Sequence, residues 1–336
     1  MARYILTRLL WAGFVLVLVS LVTFTIYYVL PPGDPTSRIP PARKVFNGPR
    51  PTPARLAEVR RQLGLDRSLP EQYGLFVKRL VVGDDCPTGV TGCGWPGLGI
   101  SYDSRTAVRQ EIIERAPRTL SLVLGAAVIW LGLGIPIGIA SALRRRTAVD
   151  RLAMGFVLFG ISAPVFWLGI MALFIFWQKL GIGSLGTGYV SLHDDASAWF
   201  LHLILPWCVL ALLFAAFYAR MTRGNVIDTM GEDFIRTARA KGLGERNVIA
   251  KHGLRASLTP MVTMLGMDVA VLLGGAFITE RVFNLQGLGQ WAVSSAFRAD
   301  LPALAGVTIT TAFAVVILNL VVDVAYVYLD PRVRYS

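Results

Sequence analysis

The sequence is short of cysteine, histidine and acidic side chains, with 3, 3 and 21 of them among 336 residues. So few thiols exclude a disulfide-dense secreted scaffold. His193, His202 and His252 fall in separate segments, which argues against a metal cluster. There is no G-x-x-x-x-G-K-[ST], so this chain does not cradle nucleotide phosphates by itself. H-E-x-x-H and G-x-S-x-G are missing too, and no nucleophile–base pair stands out, which leaves an enzyme reading without chemistry. "HDD" at His193–Asp195 reads as a solvated loop rather than a weak cation site.

Long apolar runs are what the chain does have. Apolar residues make up 54% of it and charged ones 16%, a greasier balance than a soluble domain carries. A helix needs roughly 20 residues to cross hydrocarbon. Six runs approach that length, at about Leu9–Leu30, Arg118–Leu143, Leu152–Trp177, Trp199–Ala219, Leu258–Thr279 and Leu301–Leu329. The last is long enough to tilt or emerge. Arg3 and Arg8 precede the first run in the manner of a signal peptide. Its apolar stretch is too long for an h-region, however, and "YYVLPPGDP" offers no small-x-small cleavage site, so a retained helix is expected. The fold class expected is an all-α integral membrane protein with six transmembrane helices.

The net charge of +12 is distributed unevenly. Alternate loops carry Arg3 and Arg8, then Arg144, Arg145, Arg146 and Arg151, then eight basic residues between Arg220 and Arg255, then Arg332 and Arg334. The short loops on the other side carry Lys179, Arg281 and Arg298. That asymmetry puts both termini in the cytoplasm. No basic patch with interleaved aromatics points to nucleic acid. The expected organisation is residues 1–30 as the start and first span, then 31–117 as an extracytoplasmic segment. A five-span core at 118–329 follows, with a cytoplasmic loop at 220–257, and residues 330–336 form a cytoplasmic tail.

Within the outer segment, "TPARLAEVRRQLGL" and "LPEQYGLFVKRLVVG" read as short helices, the first capped by Thr52 with Pro53 at its first turn. Val108, Ile112 and Ile113 share a face, as an interfacial helix would arrange them, and Pro117 marks the entry to the second span. Cys86 and Cys93, on the side where disulfides persist, are expected to bridge a small loop, whereas Cys208 reads as a core residue. "GLGIPIGIA" and "GISAPVFWLG" combine helix breakers with small residues, which suits close helix packing and kinks; bending around a pathway is the other reading.

Asp268 lies near the middle of the fifth run, where a carboxylate costs roughly 2.5–3.5 kcal/mol to insert. It should face helices or water, either lining a translocation pathway or hydrogen-bonding in the packing. Asn319 and Asp323 read mainly as interhelix hydrogen-bonding residues.

Between the fourth and fifth runs lies "GEDFIRTARAKGLGERNVIAKHGLRASLTP", Gly231 to Pro260. Glu232 and Asp233 suit a helix start. Phe234, Ile235 and Ala238 follow on one side, and Gly242 and Gly244 end the helix. A second helix, Glu245 to Leu254, leads to Pro260. A helix–turn–helix this short is expected to lack a core of its own and to rest its apolar stripe on the bundle or on another protein.

This stretch resembles the cytoplasmic loop of ABC-importer permeases of the dipeptide and oligopeptide branch, B-type subunit. "RYILTRLL", "PPGDP", "ERAPRTLSL", "SAPVFWLGI", "LPWCVLAL", "YARMTR", "ITERVFNLQGLGQW" and "NLVVDVAYVYLDPRVR" fit that family in order across nearly the whole chain. The general E-A-A-x-x-x-G signature is met only by Ala238 and Gly242, with Arg236 and Thr237 in its first positions. The peptide branch's R-T-A-R-A-K-G is matched from Arg236 to Gly242, and the Cys86–Cys93 loop looks like an insertion.

The resemblance implies a type I importer permease without cofactor of its own. Its partners would be a second homologous permease subunit and two ATP-binding domains that bind ATP and Mg. An extracytoplasmic substrate-binding protein would deliver cargo, in a bacterial or archaeal plasma membrane. ATPase coupling would fall to Glu232, Asp233, Arg236, Thr237, Ala238, Arg239, Ala240, Lys241, Gly242 and Leu243, and binding-protein contact to Phe283, Leu285 and Gly287. Relatives of this type also import nickel chelates, haem and other small solutes. A self-sufficient channel or secondary transporter is a further class, for which Asp268 is the one central ionisable candidate.

Overall fold

The computed structural model describes residues 2–29, 67–84, 90–182 and 188–329, and the regular elements among them are helices. "PPGDP", the helix expected from Thr52, Cys86 and the 330–336 tail lie outside the described residues, as does the side chain of Asp323. In chain order the helices are α1 (Ala2–Phe24), α2 (Leu69–Val82), α3 (Val108–Leu143), α4 (Ala148–Ser162), α5 (Val165–Leu173) and α6 (Ala196–Met230). They continue with α7 (Asp233–Ala240), α8 (Glu245–Asn247), α9 (Arg255–Leu273), α10 (Phe277–Val282), α11 (Leu288–Phe297) and α12 (Leu301–Leu329). Wider π-helical turns extend α1 over Thr25–Val29 and α5 over Phe174–Lys179, and join α8 to α9 over Val248–Leu254.

Among the described residues five helices are long and apolar enough to cross a membrane, and the number is six when one bent pair is counted as a single span. That pair is α4 with α5, which meet at 96° rather than forming one straight helix through Leu152–Trp177. The break has a local cause. Pro164 lacks an N–H and its ring excludes the helical conformation from the residue before it, so Ala163 is extended at φ −81, ψ 123.

The chain divides into two compact units, one built on Arg118–Gln286 and Leu318–Ser336, the other on Ala2–Pro117 and Gly287–Ile317. In the second, Phe24 and Tyr28 of α1 pack with Tyr73 and Phe76 of α2 at ring separations of 5.5–5.7 Å. Ser68 and Glu71 start α2, the Glu71 carboxylate accepting the Ser68 N–H at 3.1 Å. Asp300, buried at the foot of α12, accepts from the Ser101 hydroxyl at 2.5 Å and the Tyr102 N–H at 3.0 Å, which fastens the 101–103 turn. Burial and the Asp300 carboxylate push the Tyr102 phenol up to about 12.

Two expectations change here. Pro117 does not open a new helix, because α3 runs unbroken for 36 residues through it. Proline removes a single intrahelical bond, and the turn before it is held by the Glu111–Arg115 pair at 2.8 Å. Nor is the 108–113 face a membrane-interface face. Val108 and Ile112 are buried against Leu288, with Leu98 and Trp291 around them, while Ile113 points outward at 53% exposure.

The first unit centres on α3, α6 and α9, whose buried residues include Leu122, Trp130, Leu203, Tyr218 and Met261. At Gly138 helix α3 lies so close to α6 that an added Cβ would stand 2.5 Å from the Ala219 carbonyl oxygen. Only a residue without a side chain permits that approach. Asn319 is exposed and makes no hydrogen bond among the described residues.

Candidate functional site

The segment after α6 folds on itself. The N–H of Gly231 donates to the Asp228 carbonyl at 3.0 Å, ending α6, and α7 begins two residues on with Asp233 in its first turn. Ile235 and Ala238 are buried against Val248, with Met230 packed over them. This corrects three expectations. The segment has a small core of its own, because the end of α6 and the π-helical turn each contribute an apolar side chain. Phe234 does not share it and stays 46% exposed. Ala238, expected to touch a partner, is 7% exposed and serves that internal core instead.

Gly242, at φ +73, takes the left-handed conformation that stops α7, and its N–H donates to the Arg239 carbonyl at 2.9 Å. Arg239 then grips Glu245 through two nitrogens, at 2.7 and 3.1 Å, tying α7 to α8. With its apolar stripe used internally, the segment presents Phe234, Arg236, Thr237, Ala240, Lys241 and Leu243 to the outside. Glu232, Asp233 and Gly242 are exposed too.

Asp268 sits half-buried on α9 and accepts the Tyr218 hydroxyl at Oδ2, 2.7 Å away. Tyr218 is fully buried beside Trp130, which stacks on Phe214 at 4.7 Å. One carboxylate oxygen thus has a packing partner on α6, and the other, Oδ1, has no hydrogen bond among the described residues.

The 277–286 passage turns inward. Asn284 and Gln286 both adopt positive φ, 53° and 54°, and this alternation aims Phe283 and Leu285 into the core. They are 1% and 0% exposed. Neither they nor the buried Gly287 presents a side chain to a partner, contrary to the expectation of binding-protein contact. Arg281, Asn284 and Gln286 are the outward polar residues, beside the exposed Ile278, and Gln286 receives Arg118 at 3.2 Å.

Three carboxylates that no sequence motif marks are buried. Glu280, 0% exposed, accepts the Thr119 hydroxyl at 2.7 Å. Asp150 is gripped by Arg223, and Asp300 holds the turn described above. Each had a faint signal: Glu280 borders an apolar run, Asp150 is the lone acid in "LRRRTAVDR", and Asp300 directly precedes "LPAL" at a helix start. Asp195 belongs to the "HDD" loop in sequence, and in the structure its carboxylate caps α6 by accepting from Ser197 N at 2.8 Å and Ala198 N at 3.0 Å. The Ser197 hydroxyl and these two amides hold its pKa below the usual carboxylate range. Cys93 is disulfide-bonded and Cys208 is a free thiol; Cys86 lies outside the described residues.

Residues 134–335 match the family described as the binding-protein-dependent transport system inner membrane component, and residues 1–123 match its amino-terminal companion. The chain belongs to this family of ABC-importer permeases. Its helices are those of the type I permease fold, and it is a multi-pass plasma-membrane protein of a transport system rather than an enzyme. The permease is 33% identical over 358 residues to the dipeptide transport system permease protein DppB of Escherichia coli (strain K12). It is 36% identical over 336 residues to a putative peptide transport system permease protein of Brucella abortus (strain 2308). Against the glutathione transport system permease protein GsiC of Salmonella typhimurium the identity is 37% over 338 residues. In each case 100% of both chains is covered.

Proposed function

We propose that this permease forms one half of the translocation pathway of an ATP-driven importer of di- or oligopeptides, and that it couples to its ATPases through α7. One observation carries the coupling: α7 buries Ile235 and Ala238 against its own segment, yet Phe234 on it and Leu243 in the turn after it stay exposed at 46% and 41%. A solvated loop gains nothing from such side chains, whereas a cleft in a partner subunit would bury them. Peptide cargo is supported by the names of the relatives, two of which specify peptide systems and one glutathione.

The remaining parts follow from this reading. A second, homologous permease closes the pathway, two ATP-binding domains hold ATP and Mg, and an extracytoplasmic binding protein delivers cargo. Both termini and α7 lie in the cytoplasm, in keeping with the basic residues of residues 220–257. Asp268 lines the pathway with the oxygen that Tyr218 leaves open. The binding protein meets Arg281, Asn284 and Gln286, with Phe283 and Leu285 as the anchors beneath them.

The test is a single cysteine at Phe234 in the assembled transporter, treated with a short bifunctional thiol reagent. Cross-linking to the ATP-binding subunit is expected, and a cysteine at the buried Ile235 gives none. An exposed cysteine that labels freely with a soluble maleimide and never captures the ATPase defeats the coupling. Uptake of a nickel chelate or haem in place of peptide by the reconstituted system would change the cargo alone.

A further inference from the structure

Helix α6 is the stem that carries the docking segment: it runs without interruption from Ala196 to Met230, and α7 starts three residues later. Motion of α7 therefore reaches α6 directly, across the Gly231–Glu232 link, and reaches α9 by way of α8. Near that end of α6 a second device joins it to its neighbours. Arg223 donates from Nε to one oxygen of Asp150 at 2.8 Å and from Nη2 to the other at 3.0 Å. Asp150 belongs to the first turn of α4 and is 6% exposed. Its carboxylate also accepts the Ser141 hydroxyl, from α3, at 2.6 Å. A fourth donor is the Arg146 backbone N–H at 2.9 Å, in the turn between α3 and α4.

Four donors from three pieces of the chain thus converge on one carboxylate. Both its oxygens are used, and the two parallel N–H···O bonds fix orientation as well as distance. The turn is bent to suit: Arg146 takes φ 64, a left-handed conformation that costs an ordinary side chain energy. The helices are already in backbone contact beside it. Added Cβ atoms at Gly138 of α3 and Gly160 of α4 would stand 2.5 Å from the Ala219 carbonyl oxygen and 2.7 Å from the Ala216 Cβ of α6. Close packing of this kind resists separation but lets helices slide or rotate along smooth contacts. A bidentate ion pair does not, because a small rotation breaks both bonds.

We propose that Asp150 and Arg223 are positioning residues, a latch that makes α3, α4 and the α6 stem move as one block, so that displacement of the docking segment reaches the membrane helices. The inference rests on the coupling role given to α7 above and adds to it the residues through which the motion passes. In this arrangement Ser141 and the Arg146 N–H orient the carboxylate, and Arg223 engages it.

The experiment uses the complete transporter in proteoliposomes with its binding protein, a radiolabelled dipeptide as cargo, and ATP hydrolysis measured in the same vesicles. Asp150→Asn is expected to assemble and hydrolyse ATP while importing at least tenfold less dipeptide per ATP. Arg223→Lys, which keeps the charge and loses the two-point grip, is expected to fall between that variant and the unmodified protein. Ser141→Ala removes only the hydroxyl that orients the carboxylate and lowers import per ATP two- to threefold. A residue that only holds the fold would lower the melting temperature and leave import per ATP unchanged in whatever protein survives; that outcome in these variants overturns the latch. If Asp150→Asn does not assemble, Arg223→Lys and Ser141→Ala decide, and unchanged coupling in both overturns it. Should the unmodified transporter import the dipeptide without consuming ATP, the coupling role of α7 fails instead, and the two failures are told apart by that control.

Discussion

The 231–254 segment and the 277–286 passage look alike as strings: both are short, punctuated by turn residues and supplied with Phe, Leu and Ile. In the folded chain residues 233–243 and residues 283–286 use those side chains in opposite ways. Around α7 the buried positions are the small or branched Ile235 and Ala238, while the large Phe234 and Leu243 face outward. In the passage after α10 the large Phe283 and Leu285 are the buried ones, and the outward side chains are Asn284 and Gln286. The difference lies in what each stretch has beside it. The passage leans on a preformed helical core, which takes up any large apolar side chain turned toward it. The segment has only Met230 and Val248 to lean on, enough to cover two side chains. A large apolar residue left over in such a place is available to another molecule.

The comparison is broken most directly by truncating one phenylalanine from each region. Phe283→Ala is expected to cost about 3–5 kcal/mol, seen as loss of monodisperse permease on gel filtration in detergent. Phe234→Ala is expected to change stability by no more than about 0.5 kcal/mol. Equal melting temperatures for the two variants would erase the distinction. A charge sharpens it: Phe234→Glu should leave insertion and melting unaltered while reducing uptake more than tenfold, whereas unchanged uptake would mean that this face meets nothing.

A smaller effect separates the two glycines that follow α7. Gly242 sits at φ +73 with nothing within 4 Å of an added Cβ, so Gly242→Ala costs about 1 kcal/mol in backbone strain alone. Gly244, at φ −59, is in a region open to any residue, and Gly244→Ala is expected to be neutral. Amide exchange at residues 241–245 reads both, and faster exchange should follow the first substitution only.

The smallest effect concerns helix starts. Asp195 caps α6 with its side chain, and Glu232, in the corresponding place before α7, makes no such bond. Since the folded pKa of Asp195 is depressed, its contribution is complete above the ordinary carboxylate pKa of about 4. It is lost as pH falls through the lower folded value. Acidification should therefore loosen the amides of Ser197 and Ala198, after correction for intrinsic exchange, before it affects Ile235. Simultaneous loosening would show that the cap contributes nothing.

Much of the fold was legible because membrane spans announce themselves locally. The runs at Trp199–Ala219 and Leu301–Leu329 fall inside α6 and α12, and the helix of "LPEQYGLFVKRLVVG" appears as α2. Gly242 ended α7 for the reason its residue type suggested. What escaped were relations between distant residues. Phe283 and Leu285 beside Gly287 looked like an exposed loop, since nothing nearby in sequence reveals that two left-handed residues turn them inward. Asp150 and Arg223 are separated by 73 residues, and each looked like one charge among many in basic loops. Pro117 looked like a boundary because proline disfavours helix locally, yet α3 continues through it.

By itself the sequence determined that this chain lives in a membrane and roughly where it crosses. These follow from composition and run length, both of which are summed along the chain. The tertiary structure alone decided which apolar side chains remain available to a partner and which acids are locked in place. Burial and ion pairing depend on residues brought together by helix packing, and no local pattern carries that information. The 96° turn at Ala163–Pro164 stands between the two: a proline announced a disturbance, and the size of the angle is read only from the structure.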